Sequence, residues 1–250
     1  MTGGGWTADE MMTVAAARLL QNGTVCFVGI GLPSTAANVA RRLHAPDCVL
    51  IYESGCIGAN PDRLPLSIGD TELALTSDAL VSVPEIFAYW LQGGRVSVGF
   101  LGAGQIDRFA NINSTVIGPY DDPVARLPGS GGAPEIAASA GEVIVIVRQS
   151  RRTFVERCDF RSSVGFGDGP GSREKLGLRG AGPVAVITDL GVLRPDVTSC
   201  ELVRTQVHPG VAADDARAAT GWDLRVADPL TVSDAPTATE LATLRALASV

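Results

Sequence analysis

Two short apolar runs near the start of the chain are separated by a glycine turn and a helical segment. The first run covers residues 24–28 and leads into Gly29 and Gly31, and residues 33–43 then predict a helix that opens with proline. The second run covers residues 48–52. Because neighbouring parallel strands need a crossover connection, the order strand, turn, helix, strand predicts the βαβ unit of a parallel sheet.

The same alternation continues along the chain and predicts an α/β fold with an open, mixed, mostly parallel sheet. Residues 142–147 (EVIVIV) predict a strand that is buried on both faces, and residues 183–195 predict an antiparallel pair hinged at 189–191. A capping box from Thr7 to Glu10 opens the first helix. Residues 165–182 hold seven glycines and predict a long loop. The other predicted elements are helices at 9–20, 84–91, 134–140, 214–221 and 237–249, and strands at 95–102, 153–158 and 200–210.

Size and composition predict a single folded domain over residues 1–250. The chain is near the upper limit for one hydrophobic core, and its 46% hydrophobic and 19% charged residues are ordinary for a globular protein. We find no internal repeat and no linker that would divide it.

Charge, hydropathy and metal-ligand spacing argue against several function classes. A net charge of −7 without a basic run predicts no nucleic-acid binding. No apolar run reaches the roughly 18 residues that span a bilayer, and the amino terminus lacks the basic start of a secretion signal, so we expect a cytoplasmic protein. Two distant histidines and five cysteines without C-x-x-C spacing predict reduced thiols and no metal site.

Glycine-rich turns flank several predicted elements, at residues 29–34, 53–58, 102–105 and 129–133. Open α/β sheets bind ligands at the carboxyl ends of their strands, and glycine lets backbone amides approach a ligand closely. The turn at 29–34 is not a dinucleotide fingerprint, since Pro33 and Ser34 stand where that motif still needs its last glycine. The chain also contains no Gly-Lys-Ser/Thr, which excludes a P-loop. NAD and ATP are therefore not expected.

One carboxylate, Glu53, stands directly after the apolar run that ends at Tyr52. One interpretation is a solvated acid at a strand end that caps the next turn. The alternative is a catalytic carboxylate, either a general base or a nucleophile, held by a tight turn among backbone donors. The residues around Glu53 alone leave both interpretations open.

Eight motifs in order, from about residue 7 to residue 221, resemble the β subunit of class I coenzyme A transferases. They stand here as GIGLP, ESG, LSIGD, GAGQID, NINST, GSGGAPEIA, GPVAVITDLG and HPG. Within that family, the segments DEMMTVAAARLL, IYESGCIGANP and PEIFAYWLQGGR are similar to those of β subunits that act on 3-oxoadipate. Glutaconate-specific β subunits share the ESG motif.

The resemblance implies the fold of the CoA-transferase superfamily (NagB/RpiA-like), with helices on both faces of the sheet, and a separate α subunit in an α2β2 assembly. It implies that Glu53 is the nucleophile, with Ser54 and Gly55 as the turn that aims it. A coenzyme A thioester is then a substrate, and no permanently bound cofactor is expected. The family pattern assigns the oxyanion donors first to Gly131, then to Gly132 or Ala133. The walls of the coenzyme A site are assigned to Gly29, Gly31, Gly102 and Gln105.

The implied reaction moves coenzyme A from succinyl-CoA to a 3-oxo dicarboxylic acid, 3-oxoadipate, with ping-pong kinetics. The alternatives are transfer to another acid such as glutaconate, acyl-CoA hydrolysis on the same scaffold, or a non-catalytic sensor, for which the chain offers no DNA-binding segment. Arg108, Arg126 and the pair Arg151-Arg152 could hold a distal carboxylate or simply be solvated.

One position departs from the family pattern. After GAGQIDRF the family usually has Gly-Asn, whereas this chain has Ala110 and Asn111. If the backbone there has positive φ, alanine costs roughly 1 kcal/mol relative to glycine.

Overall fold

The computed structural model describes residues 5–212 and 214–248, which form two compact units. Unit 1 contains the chain up to Phe100 together with the segment from Ala235, and unit 2 is Leu101–Asp234. The expectation of a single domain stays a prediction. Among the described residues, no helix is both long and apolar enough to cross a membrane.

Unit 1 is a mixed sheet with flanking helices, and it confirms the predicted βαβ start. Strand β1 pairs in parallel with β2 and with β5, and the strand order is β5-β1-β2-β3-β4. The antiparallel β3 and β4 follow β2 as short hairpin strands. The elements, in chain order, are α1 (Ala8–Ala17), β1 (Val25–Phe27), α2 (Leu32–Leu43), β2 (Val49–Ile51), β3 (Cys56–Ile57), α3 (Thr71–Leu75), β4 (Ala79–Leu80), α4 (Val83–Glu85) and β5 (Val98–Leu101).

The helices of unit 1 begin where their caps predict. Thr7 accepts a hydrogen bond from the backbone of Glu10 at 3.2 Å and donates its own backbone N–H to the Glu10 carboxylate at 2.7 Å, which is the predicted capping box. The apolar face of α1, including Met12 and Val14, is fully buried. The helix predicted at 84–91 is instead the short α4 followed by a π-helical turn, Ile86–Leu91.

Unit 2 has strand order β14-β13-β12-β11-β10, with parallel pairing at β10–β11 and β13–β14 and antiparallel pairing between them. The predicted hinge pair is confirmed as β11 and β12. The elements are β6 (Gln105–Ile106), β7 (Ile112–Asn113), β8 (Val116–Ile117), β9 (Ala125–Arg126), α5 (Ala133–Ser139), β10 (Glu142–Ile146), α6 (Ser172–Lys175), β11 (Pro183–Ile187), β12 (Gly191–Pro195), β13 (Leu202–Val207), α7 (Asp215–Ala218) and β14 (Arg225–Val232). The last helix, α8 (Ala238–Ala248), belongs to unit 1.

One sequence prediction for unit 2 was wrong, and strand β14 was not predicted. Residues 153–158 are not a strand, because Phe154 makes only an isolated bridge to Ile106 and its ring stacks on Trp222 instead, with centroids 5.9 Å apart. Strand β14 was missed, because Pro229 lies within it and proline argues against a central strand. β14 is the end strand of this unit's order, where a missing N–H donor is tolerated.

The glycine-rich segment 165–182 is ordered around a buried arginine. Arg173 is 6% exposed, and its guanidinium donates to the backbone carbonyls of Gly165, Gly180 and Ala137 at 2.8 to 3.0 Å. Ala137 lies in α5, so Arg173 ties the segment to that helix. The short helix α6 interrupts the predicted loop.

Candidate active site

Glu53 lies in a tight turn between β2 and β3. The Tyr52 carbonyl accepts a hydrogen bond from the Gly55 N–H at 3.0 Å, and the Tyr52 N–H donates to the Cys56 carbonyl at 3.0 Å. Glu53 and Ser54 are therefore the two central residues of the turn, and both side chains are partly exposed. A partly exposed carboxylate thus follows directly on a fully buried strand segment, as the sequence predicted.

The turn requires glycine at position 55 for two independent reasons. Gly55 has φ +103°, where other residues are strained. A Cβ at Gly55 would also lie 2.0 Å from the backbone carbonyl oxygen of Val81. The Val81 N–H donates to the Gly55 carbonyl at 3.0 Å, so this close approach is part of the hydrogen bonding beside β4. The turn is thereby fixed against the next strand.

The glycine turn after β1 lies beside the Glu53 turn. Phe27 pairs with Ile51 in the parallel register of β1 and β2, and the Val28 N–H donates to the Ile51 carbonyl at 2.9 Å. Gly29 and Gly31 thus follow the carboxyl end of β1, and Glu53 follows the carboxyl end of β2. Among the predicted site residues, unit 1 brings together the following group: Gly29, Gly31, Glu53, Ser54 and Gly55.

Helix α2 begins at this edge without a capping side chain. Its N-cap residue is Gly31, at φ +86°, which has no side chain to accept a hydrogen bond from the first turn. Amide groups at a helix start carry a partial positive charge and suit an anionic group or an oxyanion. Glu53 and the uncapped start of α2 therefore follow adjacent strands at the same edge of the sheet.

The remaining predicted site residues lie in unit 2, where the GSGGA turn precedes α5. Gly131 is exposed and has φ +48°. Gly132 is the N-cap of α5 and has no side-chain cap. The Ala133 N–H already donates to the Ser130 carbonyl at 2.9 Å, so of the three predicted oxyanion donors Ala133 is internally satisfied.

Gln105 is buried in unit 2, and its side-chain amide is held on both sides. Its Oε1 accepts hydrogen bonds from Asn113 Nδ2 at 2.8 Å and from the Asp159 N–H at 3.0 Å, and its Nε2 donates to Asp159 Oδ2 at 3.0 Å. Gly102 is exposed, and a Cβ there would have ordinary clearance, with Ile146 O at 4.0 Å. The Gln105 side chain therefore has a structural role, because its hydrogen bonds join Asn113 and Asp159.

Ala110, the position that departs from the family pattern, lies in a backbone conformation with positive φ. Ala110 has φ +56° and is fully buried. Beside it, Asn111 Nδ2 donates to both oxygens of the Asp107 carboxylate at 3.0 and 3.1 Å and to the Gly167 carbonyl at 2.7 Å. Burial raises the pKa of Asp107, and the hydrogen bonds from Asn111 partly offset that rise. A strained residue and a polar network thus occupy one turn.

Three of the four arginines considered for a distal carboxylate, Arg108, Arg126 and Arg151, have local partners. Arg108 pairs with Glu156 at 3.0 Å and with Glu201 at 3.7 Å. Arg126 lies 4.7 Å from the centroid of the Tyr120 ring, and Arg151 donates to the Ala218 carbonyl at 2.9 Å. The five cysteines are all free thiols. Among the described residues, no group of three or more His, Cys, Asp or Glu side chains could hold a metal ion.

Comparison with known proteins decides the family. Residues 9–218 match the model of the family described as coenzyme A transferase. The chain belongs to the coenzyme A transferase family. This coenzyme A transferase is 60% identical over 242 residues to a 3-oxoadipate CoA-transferase subunit from Pseudomonas knackmussii, covering 97% of this chain and 93% of that protein. It is 38% identical over 227 residues to a glutaconate CoA-transferase subunit from Acidaminococcus fermentans, covering 88% and 85%.

The solved structures confirm the fold of this coenzyme A transferase. The crystal structure of glutaconate coenzyme A-transferase from Acidaminococcus fermentans matches it with a TM-score of 0.91 at 34% identity, over 96% of this chain and 94% of that chain. The predicted α/β class with a mixed sheet is therefore confirmed, as is the resemblance carried by the ordered motifs.

Sequence reasoning about this coenzyme A transferase found Glu53 and the glycine turns but missed the residues that support them. The sequence predicts Tyr52 only as the end of a strand and Ser34 only as the start of a helix. The structure joins their side chains by a buried hydrogen bond. The one sequence signal for this hydrogen bond is the tyrosine at the end of an otherwise apolar run, since a buried tyrosine hydroxyl needs a hydrogen-bond partner.

Proposed function

We propose that the chain is the β subunit of a CoA-transferase that moves coenzyme A from succinyl-CoA to 3-oxoadipate, acting with an α subunit in the cytoplasm. The observation that carries the proposal is Glu53 on its rigid turn after β2, the strand paired with β1, which leads into the uncapped start of α2. The substrate follows from the 60% identity to a 3-oxoadipate CoA-transferase subunit. An α2β2 assembly is the arrangement we propose.

The reaction uses Glu53 as a covalent nucleophile. Its carboxylate attacks the succinyl-CoA carbonyl, the C–S bond breaks, and an anhydride between succinate and Glu53 forms with release of the CoA thiolate. The thiolate then attacks the Glu53 carbonyl, which gives a glutamyl-CoA thioester and free succinate. The carboxylate of 3-oxoadipate attacks this thioester, and the steps run in reverse to give 3-oxoadipyl-CoA. No ATP is consumed, since the acyl group stays activated throughout.

Each step passes through a tetrahedral oxyanion, which backbone amides stabilise. We propose Gly131 and Gly132 as such donors, because Gly131 is exposed and the N-terminal end of α5 has no side-chain cap. Gly29, Gly31, Ser54, Gly55, Gly102 and Gln105 are proposed to line the coenzyme A thioester. These roles rest on the family pattern and on the position of each residue in its own unit.

The test is trapping of the intermediate in the α and β subunits expressed together. Succinyl-CoA is added without acceptor, the protein is reduced with borohydride, and the peptide that holds Glu53 is analysed by mass spectrometry. We expect Glu53 to be converted to its alcohol, and Glu53→Ala to lower transfer by about 10⁴-fold or more. Glu142→Gln, at an exposed strand start, is the matched control and should keep full activity. Full activity of Glu53→Ala would overturn the assignment.

Two further outcomes distinguish the alternatives. The 38% identity to a glutaconate CoA-transferase subunit makes glutaconate the second candidate acceptor, so both acids are compared by kcat/KM in the same preparation. Release of free CoA from succinyl-CoA without any acceptor, at the rate of transfer, would instead identify a hydrolase.

A further inference from the structure

Tyr52, the residue before the nucleophile, has a polar tip in a fully buried position. Its hydroxyl lies 3.0 Å from the Ser34 hydroxyl, and both residues are at most 1% exposed. Asn38, also 1% exposed, donates from Nδ2 to the Ser34 carbonyl at 2.9 Å. Ser34 and Asn38 are one helical turn apart in α2, so the phenol of Tyr52 meets a short polar strip on the buried face of that helix.

This polar contact is not needed to fill space. Phenylalanine would occupy almost the same volume as tyrosine, whereas a buried hydroxyl costs free energy unless it finds a hydrogen-bond partner. The Tyr52–Ser34 hydrogen bond therefore contributes more to geometry than to stability, since it fixes the distance and the angle between the two elements it joins.

Tyr52 also holds the turn that carries Glu53 through both of its backbone groups. Its carbonyl accepts from the Gly55 N–H and its N–H donates to the Cys56 carbonyl, each at 3.0 Å. The same residue thus joins the Glu53 turn to the first turn of α2. That first turn follows Gly31, where the helix presents its uncapped amide groups.

We propose that Tyr52 is a positioning residue, which acts through Ser34 to hold the Glu53 carboxylate in a fixed orientation relative to the amino-terminal turn of α2. The proposal rests on the proposed function, in which Glu53 is acylated. A nucleophile that attacks a thioester must be held in near-attack geometry, and a displacement of about 1 Å can cost on the order of a hundredfold in rate. The contact of Gly55 with Val81 fixes the far side of the turn, and the Tyr52 phenol anchors its near side to α2.

The phenol itself does not exchange protons in the reaction. Burial raises the pKa of Tyr52, while the side chains of Ser34 and Asn38 lower it in part. The phenol is neutral at physiological pH. The effect of removing it should therefore be independent of pH between about 6 and 8.

The test compares Tyr52→Phe, Ser34→Ala and the double variant in the assembled α and β subunits. The rate of glutamyl-CoA thioester formation from succinyl-CoA is measured in a single turnover, together with kcat and KM. We expect each single variant to lower the rate of thioester formation and kcat by about ten- to a hundredfold, with KM changed less than about twofold. The double variant should be no slower than the slower single variant, because the two hydroxyls act as one unit.

Thr13→Val is the matched control for loss of a buried hydroxyl in the same unit. Thr13 is 1% exposed, and its hydroxyl donates to the Asp9 carbonyl within α1 at 2.7 Å, away from the Glu53 turn. It should lower the melting temperature about as much as Tyr52→Phe but leave the rate of thioester formation unchanged. A merely structural role of Tyr52 would make the two variants alike in both measurements.

The outcomes separate this proposal from the proposed function. If the wild-type protein forms the Glu53 thioester and Tyr52→Phe forms it at the same rate, the positioning role is wrong and the function stands. Additive effects on the rate of thioester formation in the double variant would also overturn the positioning role, since additivity means that the two hydroxyls do not act together. If the wild-type protein forms no thioester at Glu53, the proposed function itself fails, and the positioning role fails with it.

Discussion

The guanidinium of Arg18, the C-cap residue of α1, donates two hydrogen bonds, each 2.7 Å long, to the carboxylate of Glu240 in α8, 222 residues further along the chain. A second ion pair joins the opposite ends of the same two helices. Arg245 of α8 donates to both carboxylate oxygens of Glu10 of α1, at 2.6 and 3.2 Å. Each glutamate also caps its own helix, because its carboxylate accepts a hydrogen bond from the backbone N–H of the threonine three residues earlier. That threonine is Thr7 for Glu10 and Thr237 for Glu240. Each carboxylate thus caps the amino terminus of its own helix and joins that helix to the other by an ion pair.

We expect Glu240→Gln to lower the free energy of unfolding by about 1 kcal/mol, the usual range for a partly exposed bidentate pair. Glutamine can still complete the capping box, so this change isolates the charge. Burial alone would raise the pKa of Glu240, but Arg18 and Thr237 lower it to about 2. A lowered folded pKa gives stability that is present above the unfolded value of 4.5 and is lost as the pH falls toward 2.

The measurement is urea denaturation of the wild-type protein and of Glu240→Gln between pH 7 and about pH 3, within the range where the Glu240 carboxylate gains its proton. The difference between the two proteins should shrink as the pH falls. Glu156→Gln is the control, because Glu156 pairs with Arg108 but is 72% exposed, and it should change stability by less than about 0.5 kcal/mol. A pH-independent difference for Glu240→Gln would contradict the electrostatic explanation.

Gly55→Ala should damage the turn that carries Glu53. The added methyl group would lie 2.0 Å from Val81 O, in a backbone conformation of φ +103° that costs about 1–3 kcal/mol for other residues. We expect a loss of stability of at least that size together with a fall in transfer activity. Gly69→Ala is the control, since the nearest atom to a Cβ there is Ser67 Oγ at 3.9 Å and φ is not positive. Equal stability of the two variants, measured by thermal unfolding, would show that the turn can relax.

Ala110→Gly should stabilise the protein, which is unusual for removal of a methyl group from a buried site. Ala110 has φ +56°, and glycine relieves the strain of that conformation, which is worth about 1 kcal/mol. Ala242→Gly, on the exposed side of α8, is the control with the opposite sign and should lose about 1 kcal/mol. The free energy of unfolding of both variants is measured by chemical denaturation. A loss of stability in Ala110→Gly would mean that packing of the methyl group outweighs the backbone strain.

Local signals in the sequence predicted the parts of the fold that depend on neighbouring residues. The capping box at Thr7 and Glu10 and the hinge at 189–191 involve residues within a few positions of one another, and each element of the βαβ start has its own local pattern. The turn at Glu53 was predicted for the same reason, because an apolar run that ends in a carboxylate and glycine specifies a strand end. The family pattern raised a positive φ at Ala110 only as a condition, and the structure meets that condition.

The features that the sequence did not predict depend on contacts across long sequence separations. The Tyr52–Ser34 hydrogen bond joins two elements, and nothing in either segment alone specifies it. β14 contains Pro229 and many exposed residues, so its local pattern argues against a strand that pairing with β13 nevertheless stabilises. Residues 153–158 have a composition typical of a strand, but the Phe154 ring stacks on Trp222. In each case tertiary packing overrides local preference.

Arg173→Lys should loosen the glycine-rich segment 165–182. The guanidinium satisfies the buried carbonyls of Gly165 and Ala137 and the half-buried carbonyl of Gly180, and lysine has fewer donors in a different geometry. Leaving such carbonyls without partners costs about 1–3 kcal/mol each, so we expect a loss of about 2–4 kcal/mol. Trypsin should then cleave the native protein faster at Lys175 and Arg179 within the segment.

Arg161→Lys is the control for the loss of a guanidinium, because Arg161 pairs with Asp168, whose side chain is 82% exposed. It should leave both the stability and the cleavage rate nearly unchanged, since an exposed ion pair contributes little. Cleavage of Arg173→Lys at the wild-type rate would show that the segment is held by its own backbone hydrogen bonds, such as that from the Gly180 N–H to the Ala138 carbonyl at 2.9 Å.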